Sequence, residues 1–235
     1  MRLEGKVAVI TGASRGIGKS ISEQFAREGA MLVLSARTRS TLDAIAEKLR
    51  ETGVEVLVQP ADVSIERDVV ALIAAAARNY GKIDILVNNA GIGIFKPVSE
   101  TGTDEFDALF DVNMRGVFIA TREVLRHMVE QNDGTIINIA SLAGKNPVEN
   151  GAVYAATKWA LLGFSKSIML EMRKHNIRVV AIYPGSVDTE FGSGHHPDGE
   201  KILQADDVAE AAVLAASLPP RAMMSEIDLR PTNPK

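Results

Sequence analysis

Short apolar runs, rich in β-branched residues, alternate with longer helical patterns from one end of the chain to the other. Most of the short runs are apolar at every position, which is typical of parallel strands that are covered on both faces. Repeated strand–helix units with right-handed crossovers build a doubly wound parallel sheet. The sequence therefore predicts an α/β fold with helices on both faces of the sheet.

The predicted elements follow from this alternation. The strand candidates are Lys6–Ile10, Met31–Ser35, Val54–Val58, Ile83–Val87, Thr135–Ala140, Ile177–Tyr183 and Glu226–Leu229. The helix candidates are Gly16–Glu28, Thr41–Glu51, Ile65–Asn79, Asp104–Glu130, Gly151–Lys174 and Asp206–Ser217. Ser40 with Asp43, Ser64 and Thr103 are predicted as N-terminal caps of three of these helices, and Gly53 as a C-terminal stop.

Composition excludes several classes of protein. A chain of 235 residues that is 46% hydrophobic predicts one domain over residues 1–235. A net charge of −4 gives no reason to expect binding to nucleic acid or to an anionic membrane. With no cysteine, the chain has no disulfide framework or thiol nucleophile. Without an apolar leader or a run of about 18 apolar residues, we expect a cytoplasmic protein.

A glycine-rich turn, Thr11–Gly18, lies between the first strand and the first helix. Gly12, Gly16 and Gly18 allow the backbone to approach a pyrophosphate, and the amides at the start of the helix would face its oxygens. The spacing is Gly-x-x-x-Gly-x-Gly, and such glycines also occur in ordinary strand–helix turns. The turn therefore predicts a dinucleotide site only together with other features.

The end of the second strand indicates which dinucleotide. Where an NAD-binding protein places an acid for the ribose 2′-hydroxyl, this chain has Ala36, followed by Arg37. Arg15 lies in the glycine turn itself, and guanidinium groups pair with phosphate in a forked geometry. We therefore expect NADP(H) as the cofactor, although surface charge is the simpler reading of Arg39.

Tyr154 and Lys158 are four residues apart on a predicted helix and so share one face. A nearby ammonium is expected to lower the tyrosine pKa from its usual value near 10. Ser141 ends the fifth strand, at the edge of the sheet where ligands bind, and its hydroxyl could hold a substrate oxygen. Alone, a tyrosine and a lysine at this spacing would more simply be a surface pair. Together with Ser141 and the glycine turn, they predict hydride transfer between a dinucleotide and a carbonyl or alcohol.

With these motifs, the chain resembles the short-chain dehydrogenase/reductase family from end to end. The matching segments also include Asp62-Val63, Asn88-Asn89-Ala90-Gly91, and Pro184-Gly185 with Thr189. The resemblance implies a Rossmann-type sheet of seven strands in the order 3-2-1-4-5-6-7. It also implies a catalytic tetrad of Asn113, Ser141, Tyr154 and Lys158, in which Asn113 holds a water of a proton relay. Asn113 could instead kink its long helix, and Asn88 is expected to tie neighbouring strands together.

The site residues predicted on this basis fall into two groups. The catalytic residues are Asn113, Ser141, Tyr154 and Lys158. The cofactor-binding residues are Gly12, Ser14, Arg15, Gly16, Ile17, Gly18, Arg37, Asp62, Val63, Asn89, Ala90, Gly91, Tyr154, Lys158, Pro184, Gly185, Val187 and Thr189. No metal site is predicted, since His195 and His196 lack the spacing of a ligand set.

Within the family, the chain is most similar to 3-oxoacyl-acyl-carrier-protein reductases and related carbonyl reductases. The substrate loop at about residues 189–203 is short, and the ending Ser225–Thr232 is closer to 3-hydroxy-acid and small-alcohol dehydrogenases, so an acyl-carrier-protein substrate is in doubt. The family also implies a homodimer or homotetramer built from two long helices. The alternatives are a dinucleotide-binding sensor or assembly subunit without catalysis and, less well suited to so short a chain, a nucleotide-sugar epimerase or dehydratase.

Overall fold

The computed structural model describes residues 1–191 and 202–232. The strands are β1 (Val7–Thr11), β2 (Met31–Ser35), β3 (Val56–Val58), β4 (Ile85–Asn88), β5 (Gly134–Ile139), β6 (Ile177–Pro184), β7 (Val187–Asp188), β8 (Leu203–Gln204) and β9 (Glu226–Leu229). The α-helices are α1 (Gly16–Arg27), α2 (Arg39–Arg50), α3 (Glu66–Tyr80), α4 (Thr103–Phe110), α5 (Gly116–Gln131), α6 (Ala152–Met172) and α7 (Ala205–Ser217).

Within the described residues, seven strands form one parallel sheet in the order β3-β2-β1-β4-β5-β6-β9. The predicted fold class and strand order are confirmed. The seventh strand of the sheet is β9 because the short strands β7 and β8 pair with each other. That pairing brings together the two ends of the predicted substrate loop, most of which lies outside the described residues.

The core lies in two layers, one on each face of the sheet. In β1, Ala8 and Ile10 face α1, α2 and α7, whereas Val9 faces α3, α5 and α6. Residues of β2, β4, β5 and β6 divide in the same way between the two layers. Because both faces are covered, every position of these strands favours an apolar residue, which explains the continuous apolar runs in the sequence.

The helix predicted over Asp104–Glu130 is wrong in one respect, because it is interrupted. A π-helical turn over Asp111–Arg115 separates α4 from α5. Such turns insert a residue into a helix and often occur at functional sites. Gly116 follows the turn, and a Cβ there would lie 2.7 Å from the Val63 carbonyl oxygen, so glycine lets the helix approach that loop. Asn132, in the left-handed conformation, ends α5.

The predicted N-terminal caps are also wrong, since none of the three side chains caps its helix. Thr38, not Ser40, precedes α2, and Asp43 forms an ion pair with Arg39. The Ser64 hydroxyl donates to Asp62 at 2.6 Å instead of accepting from α3. Thr103 is the first residue of α4. In contrast, Gly53 has φ +85° just after α2, as its predicted role as a stop requires.

Candidate active site

A cleft of about 1870 Å³ runs along the carboxyl ends of the central strands. Its walls come mainly from the loops that follow β1, β2, β3, β4, β5 and β6. Nearly all the predicted site residues line it, namely Gly12, Ser14, Arg15, Gly16, Ile17, Arg37, Asp62, Val63, Asn89, Ala90, Gly91, Ser141, Tyr154, Lys158, Pro184, Gly185, Val187 and Thr189. Gly18 and Asn113 lie behind this surface, and their contacts support it.

The glycine turn is packed so closely that side chains are excluded. Gly12 has φ +65°, and a Cβ there would lie 2.8 Å from the Asn89 amide nitrogen. A Cβ on Gly18 would overlap the Gly12 carbonyl oxygen. Since α1 has no acidic residue in its first turn, its N-terminal amides meet no carboxylate of that turn. The turn is therefore a backbone cradle suited to an anionic group.

The loop after β4 is fastened to this turn by side-chain hydrogen bonds. The Thr11 hydroxyl accepts from the amides of Asn89 at 3.0 Å and Ala90 at 3.1 Å, and it donates to the Val87 carbonyl. The side-chain amide of Asn89 donates to the backbone carbonyls of Thr11 at 3.0 Å and Gly12 at 3.1 Å. These bonds hold the two loops as one wall of the cleft.

Asn88 is structural, as expected. Its amide donates to Asn138 of the neighbouring strand at 2.9 Å and contacts the Thr121 hydroxyl at 3.3 Å. Asn138 in turn donates to Ser165 of α6 at 2.9 Å. The buried network ties β4 and β5 to the helix that carries the catalytic candidates.

At the other end of the cleft, Arg15 and Arg37 differ from Arg39 in their ion pairing. Arg39 pairs with Asp43 at 3.4 Å, which agrees with its reading as a surface charge. Neither Arg15 nor Arg37 forms an ion pair with a carboxylate of the described residues, and both line the cleft. Among the described residues, the Arg15 side chain donates to the Glu190 backbone carbonyl, at 3.3 Å.

Asp62 lies in the loop after β3. Its carboxylate accepts from the Ser64 backbone amide at 2.9 Å, which shapes this loop.

Ser141, Tyr154 and Lys158 meet at the catalytic end. Tyr154 and Lys158 lie in the first turns of α6, with the Lys158 ammonium 5.8 Å from the Tyr154 ring centre. The Ser141 oxygen accepts from the Ala143 amide at 3.1 Å, which leaves its own hydrogen available to another oxygen. Lys158 is buried and donates to the Ile139 carbonyl at 3.1 Å.

The expected lowering of the tyrosine pKa is wrong for this structure. Burial raises the pKa of the Tyr154 phenol above its ordinary value, and a hydrogen bond with Ser141 opposes that shift only in part. Burial also lowers the pKa of Lys158 to about 8. The ammonium lies 5.8 Å from the ring centre and donates to the Ile139 carbonyl, and the loss of water from the phenol outweighs its attraction. Tyr154 is therefore a proton-bearing phenol at neutral pH.

Asn113 lies in the π-helical turn and is buried. Its side chain exchanges two hydrogen bonds with the backbone of Ile92, both at 2.9 Å, and donates to the Thr157 hydroxyl at 3.1 Å. It thus clamps the helix to the loop after β4 and to α6. This placement agrees with a kinked helix, and its role in a proton relay stays a prediction.

Pro184 is the last residue of β6, and Gly185 follows it. The Gly185 amide donates to the Leu229 carbonyl at 2.9 Å, which anchors the turn to β9. Thr189 packs on the glycine turn, where a Cβ on Gly16 would lie 3.3 Å from its side chain. The cleft is therefore closed on this side by the segment that enters the substrate loop.

Several residues that line the cleft were not predicted from the sequence. Thr38 and Thr41 stand beside Arg37 at the start of α2. Phe95, Val148 and Phe191 surround Tyr154. The two threonines could have been inferred from their place after the second strand, whereas the apolar residues come from three separate loops and form no local motif.

Two further findings concern membranes and metal ions. Of the helices in the described segments, none has the length and apolarity needed to cross a membrane. Among residues 1–191 and 202–232, no group of three or more His, Asp or Glu side chains could hold a metal ion. His195 and His196 lie outside those residues.

Comparison with known proteins adds independent findings. A family model described as short chain dehydrogenase matches residues 6–198. An uncharacterized oxidoreductase of Staphylococcus aureus (strain USA300) is 35% identical over 229 residues, which cover 97% of this chain and 98% of that protein.

Solved structures with similar folds contain dinucleotides. A metagenomic short-chain oxidoreductase in complex with NADP is 37% identical, with a TM-score of 0.89 over 99% of this chain and 100% of the other. A 3-ketoacyl-(acyl-carrier-protein) reductase of Brucella melitensis complexed with NADH is 34% identical, with a TM-score of 0.91 over 98% of both chains.

Proposed function

The chain belongs to the short-chain dehydrogenase family of oxidoreductases, and from that premise we propose that it transfers hydride between NADP(H) and a carbonyl or secondary alcohol. The observation that carries the proposal is the meeting of Ser141, Tyr154 and Lys158 in the same cleft as the glycine turn. The cofactor proposal also draws on the relatives that bind NADP or NADH.

The glycine turn fits a dinucleotide. Because its glycines have no side chains, backbone atoms form the surface of the turn. The amides at the start of α1 can donate to a pyrophosphate there. Gly12, Ser14, Gly16 and Ile17 would form this part of the site. Asp62 and Val63 would border the adenine, and the segment from Pro184 to Thr189 would border the nicotinamide.

We propose NADPH in preference to NADH because of the residues at the ribose end. A 2′-phosphate carries negative charge, and Arg15 and Arg37 offer guanidinium groups that no described carboxylate neutralises. The hydroxyls of Thr38 and Thr41 stand beside them, at the start of α2. Ala36 occupies the position at which an NAD-binding protein has an acid, so no carboxylate at that position repels the 2′-phosphate.

When bound, the cofactor supplies or accepts the hydride, and the chain itself handles the proton. In the direction of reduction, the Tyr154 hydroxyl donates its proton to the carbonyl oxygen as that carbonyl becomes an alcohol. Its raised pKa keeps this proton in place at neutral pH. The Ser141 hydroxyl donates a hydrogen bond to the same oxygen, and Lys158 supplies a positive charge near the ring.

We propose a homodimer or homotetramer in which α4, α5 and α6 of two subunits pack together. A hollow of about 380 Å³ on these helices is lined by Phe110, Met114, Phe118 and Phe164, with Asp111 and Arg115 at its rim. Apolar surface of this kind is typical of an interface. Light scattering of the purified protein tests the oligomeric state, and cell fractionation tests the predicted cytoplasmic location.

The test of the function is NADPH consumption with a panel of 3-oxoacyl thioesters, 3-oxo acids, diketones and aldehydes, with NADH in parallel. Replacement of Tyr154 with Phe should abolish most turnover but leave NADPH binding unchanged. Arg37→Ala should weaken NADPH binding, whereas Arg39→Ala, its matched control, should not. Equal use of NADH by the unaltered protein would contradict the cofactor preference.

The second candidate is a dinucleotide-binding sensor or assembly subunit without catalysis. Saturable NADPH binding with no turnover across the whole panel would favour it. The presence of all four predicted catalytic residues argues against it.

A further inference from the structure

Three aromatic rings meet at the catalytic end of the cleft. The Phe95 ring centre lies 5.1 Å from that of Tyr154, and the Phe191 ring centre lies 6.0 Å from it on another side. Tyr154 is buried, yet Phe95 and Phe191 are 48% and 39% exposed. Large apolar side chains are thus left open to the cleft directly beside the proton donor.

Two glycines leave the space in which these rings lie. A Cβ on Gly93 would lie 2.7 Å from Phe95 and 2.8 Å from Phe191, so both rings rest against the same stretch of backbone. Gly151 lies beneath Phe95, with a Cβ position 3.2 Å from the ring and 2.8 Å from Val148. The two rings thus lie in space that is free because positions 93 and 151 carry no side chain.

The charges around this wall do not favour an anionic substrate. Lys158 is already bound to the Ile139 carbonyl. The α4 and π-helical segments present Asp104, Asp107 and Asp111 to the cleft. A substrate carboxylate or phosphate would approach these acids without an unengaged cation near Tyr154 among the described residues.

Two other cations near this end form ion pairs. Lys96 forms an ion pair with Glu105 at 2.5 Å. Arg230 lines the cleft but is largely exposed and lies 3.9 Å from the Asp228 carboxylate. Arg230 is therefore the residue through which a preference for anionic substrates would have to act.

We propose that the substrate is an uncharged ketone or aldehyde with an aromatic or cyclic apolar substituent, which packs against Phe95 and Phe191 while Tyr154 contacts the carbonyl oxygen. The inference rests on the proposed reductase function and names its substrate class. Aromatic rings gain from tilted packing on other rings, and burying the substituent removes apolar surface from water. Phe95 and Phe191 are then the residues that determine specificity.

The experiment compares benzaldehyde, 4-carboxybenzaldehyde and butanal with NADPH, in the unaltered protein and in Phe95→Ala, Phe191→Ala and Phe106→Ala. Phe106 is a matched control, since it is also a half-exposed ring but stacks on Phe110 outside the cleft. We expect kcat/KM for benzaldehyde to fall about tenfold in each cleft variant, with a much smaller change for butanal. The carboxylated aldehyde should react at least about tenfold more slowly than benzaldehyde in the unaltered protein.

Each outcome separates the inference from the function on which it rests. Turnover of butanal with equal losses for all substrates in the cleft variants, or faster turnover of 4-carboxybenzaldehyde, would overturn the substrate class and leave the reductase function intact. A preference for the carboxylate that disappears in Arg230→Ala would assign the pocket to acids instead. No turnover of any aldehyde by protein that binds NADPH would overturn the substrate class, and only the further absence of turnover with 3-oxoacyl thioesters, 3-oxo acids and diketones would overturn the reductase function as well.

Discussion

Replacement of Lys158 with Met should stabilise the folded protein at neutral pH while abolishing its activity. The lysine is buried, and burial lowers its pKa from 10.5 to about 8. At about 1.4 kcal/mol for each pKa unit, its charged form costs the native state about 3 kcal/mol. Loss of its hydrogen bond to the Ile139 carbonyl offsets about 1–2 kcal/mol of the gain. The net stabilisation expected is about 1–2 kcal/mol.

The pH dependence follows from the direction of the shift. Below about pH 8 the lysine is protonated in both the folded and the unfolded chain, so the whole cost of burying the charge is present. Between about pH 8 and 10.5 the folded protein releases the proton first, and the cost declines as pH rises. The advantage of the Met variant should therefore shrink across this window and vanish or reverse at its upper end.

The assay is urea unfolding of the cofactor-free proteins at about pH 7, 8.5 and 10. Lys174→Met is the matched control, because Lys174 is exposed near the end of the same helical segment. We expect no comparable gain from it at any pH. A Lys158→Met protein that is less stable than the unaltered one at neutral pH, or a difference that does not change with pH, would refute the reasoning.

Three other predictions follow from contacts described above. Gly18→Ala should weaken NADPH binding about tenfold or more in a fluorescence titration, because the new methyl group overlaps the backbone of the glycine turn; unchanged affinity would show that the turn can shift. Asn138→Ala should lower the free energy of unfolding by about 2–4 kcal/mol, since it leaves Asn88 and Ser165 each with one partner fewer in the core; a loss below about 0.5 kcal/mol would contradict this. Oxidation of an alcohol should accelerate as pH rises above neutral, because Tyr154 must then accept a proton and its pKa is raised by burial; an initial-rate profile that falls with alkaline pH would point to a different base.

Much of the site could be predicted because its residues sit at fixed positions in regular elements. Tyr154 and Lys158 share a face because a helix repeats every 3.6 residues, and Ser141 reaches the same edge because parallel strands end together. Arg37 was singled out because it follows Ala36, the position at which an NAD-binding protein places an acid.

The rest of the site depends on tertiary contacts, which local sequence patterns do not predict. The π-helical turn at Asp111–Arg115 arises where the helix meets the loop after β4, through the hydrogen bonds between Asn113 and Ile92. The pKa of Tyr154 depends on how much water the fold removes from it, which spacing does not reveal. The wall formed by Phe95 and Phe191 joins two loops that are distant in sequence.

The position of β1 in the sheet has a consequence for synthesis on the ribosome. β1 pairs on one side with β2, which follows after one helix, but its other neighbour is β4, where Ala8 lies opposite Ile85. Until that distant segment emerges, one edge of a strand that is buried along its whole length in the folded protein has no partner. We expect nascent chains arrested after α3 to aggregate or recruit chaperones, and chains extended past β4 to escape this hazard.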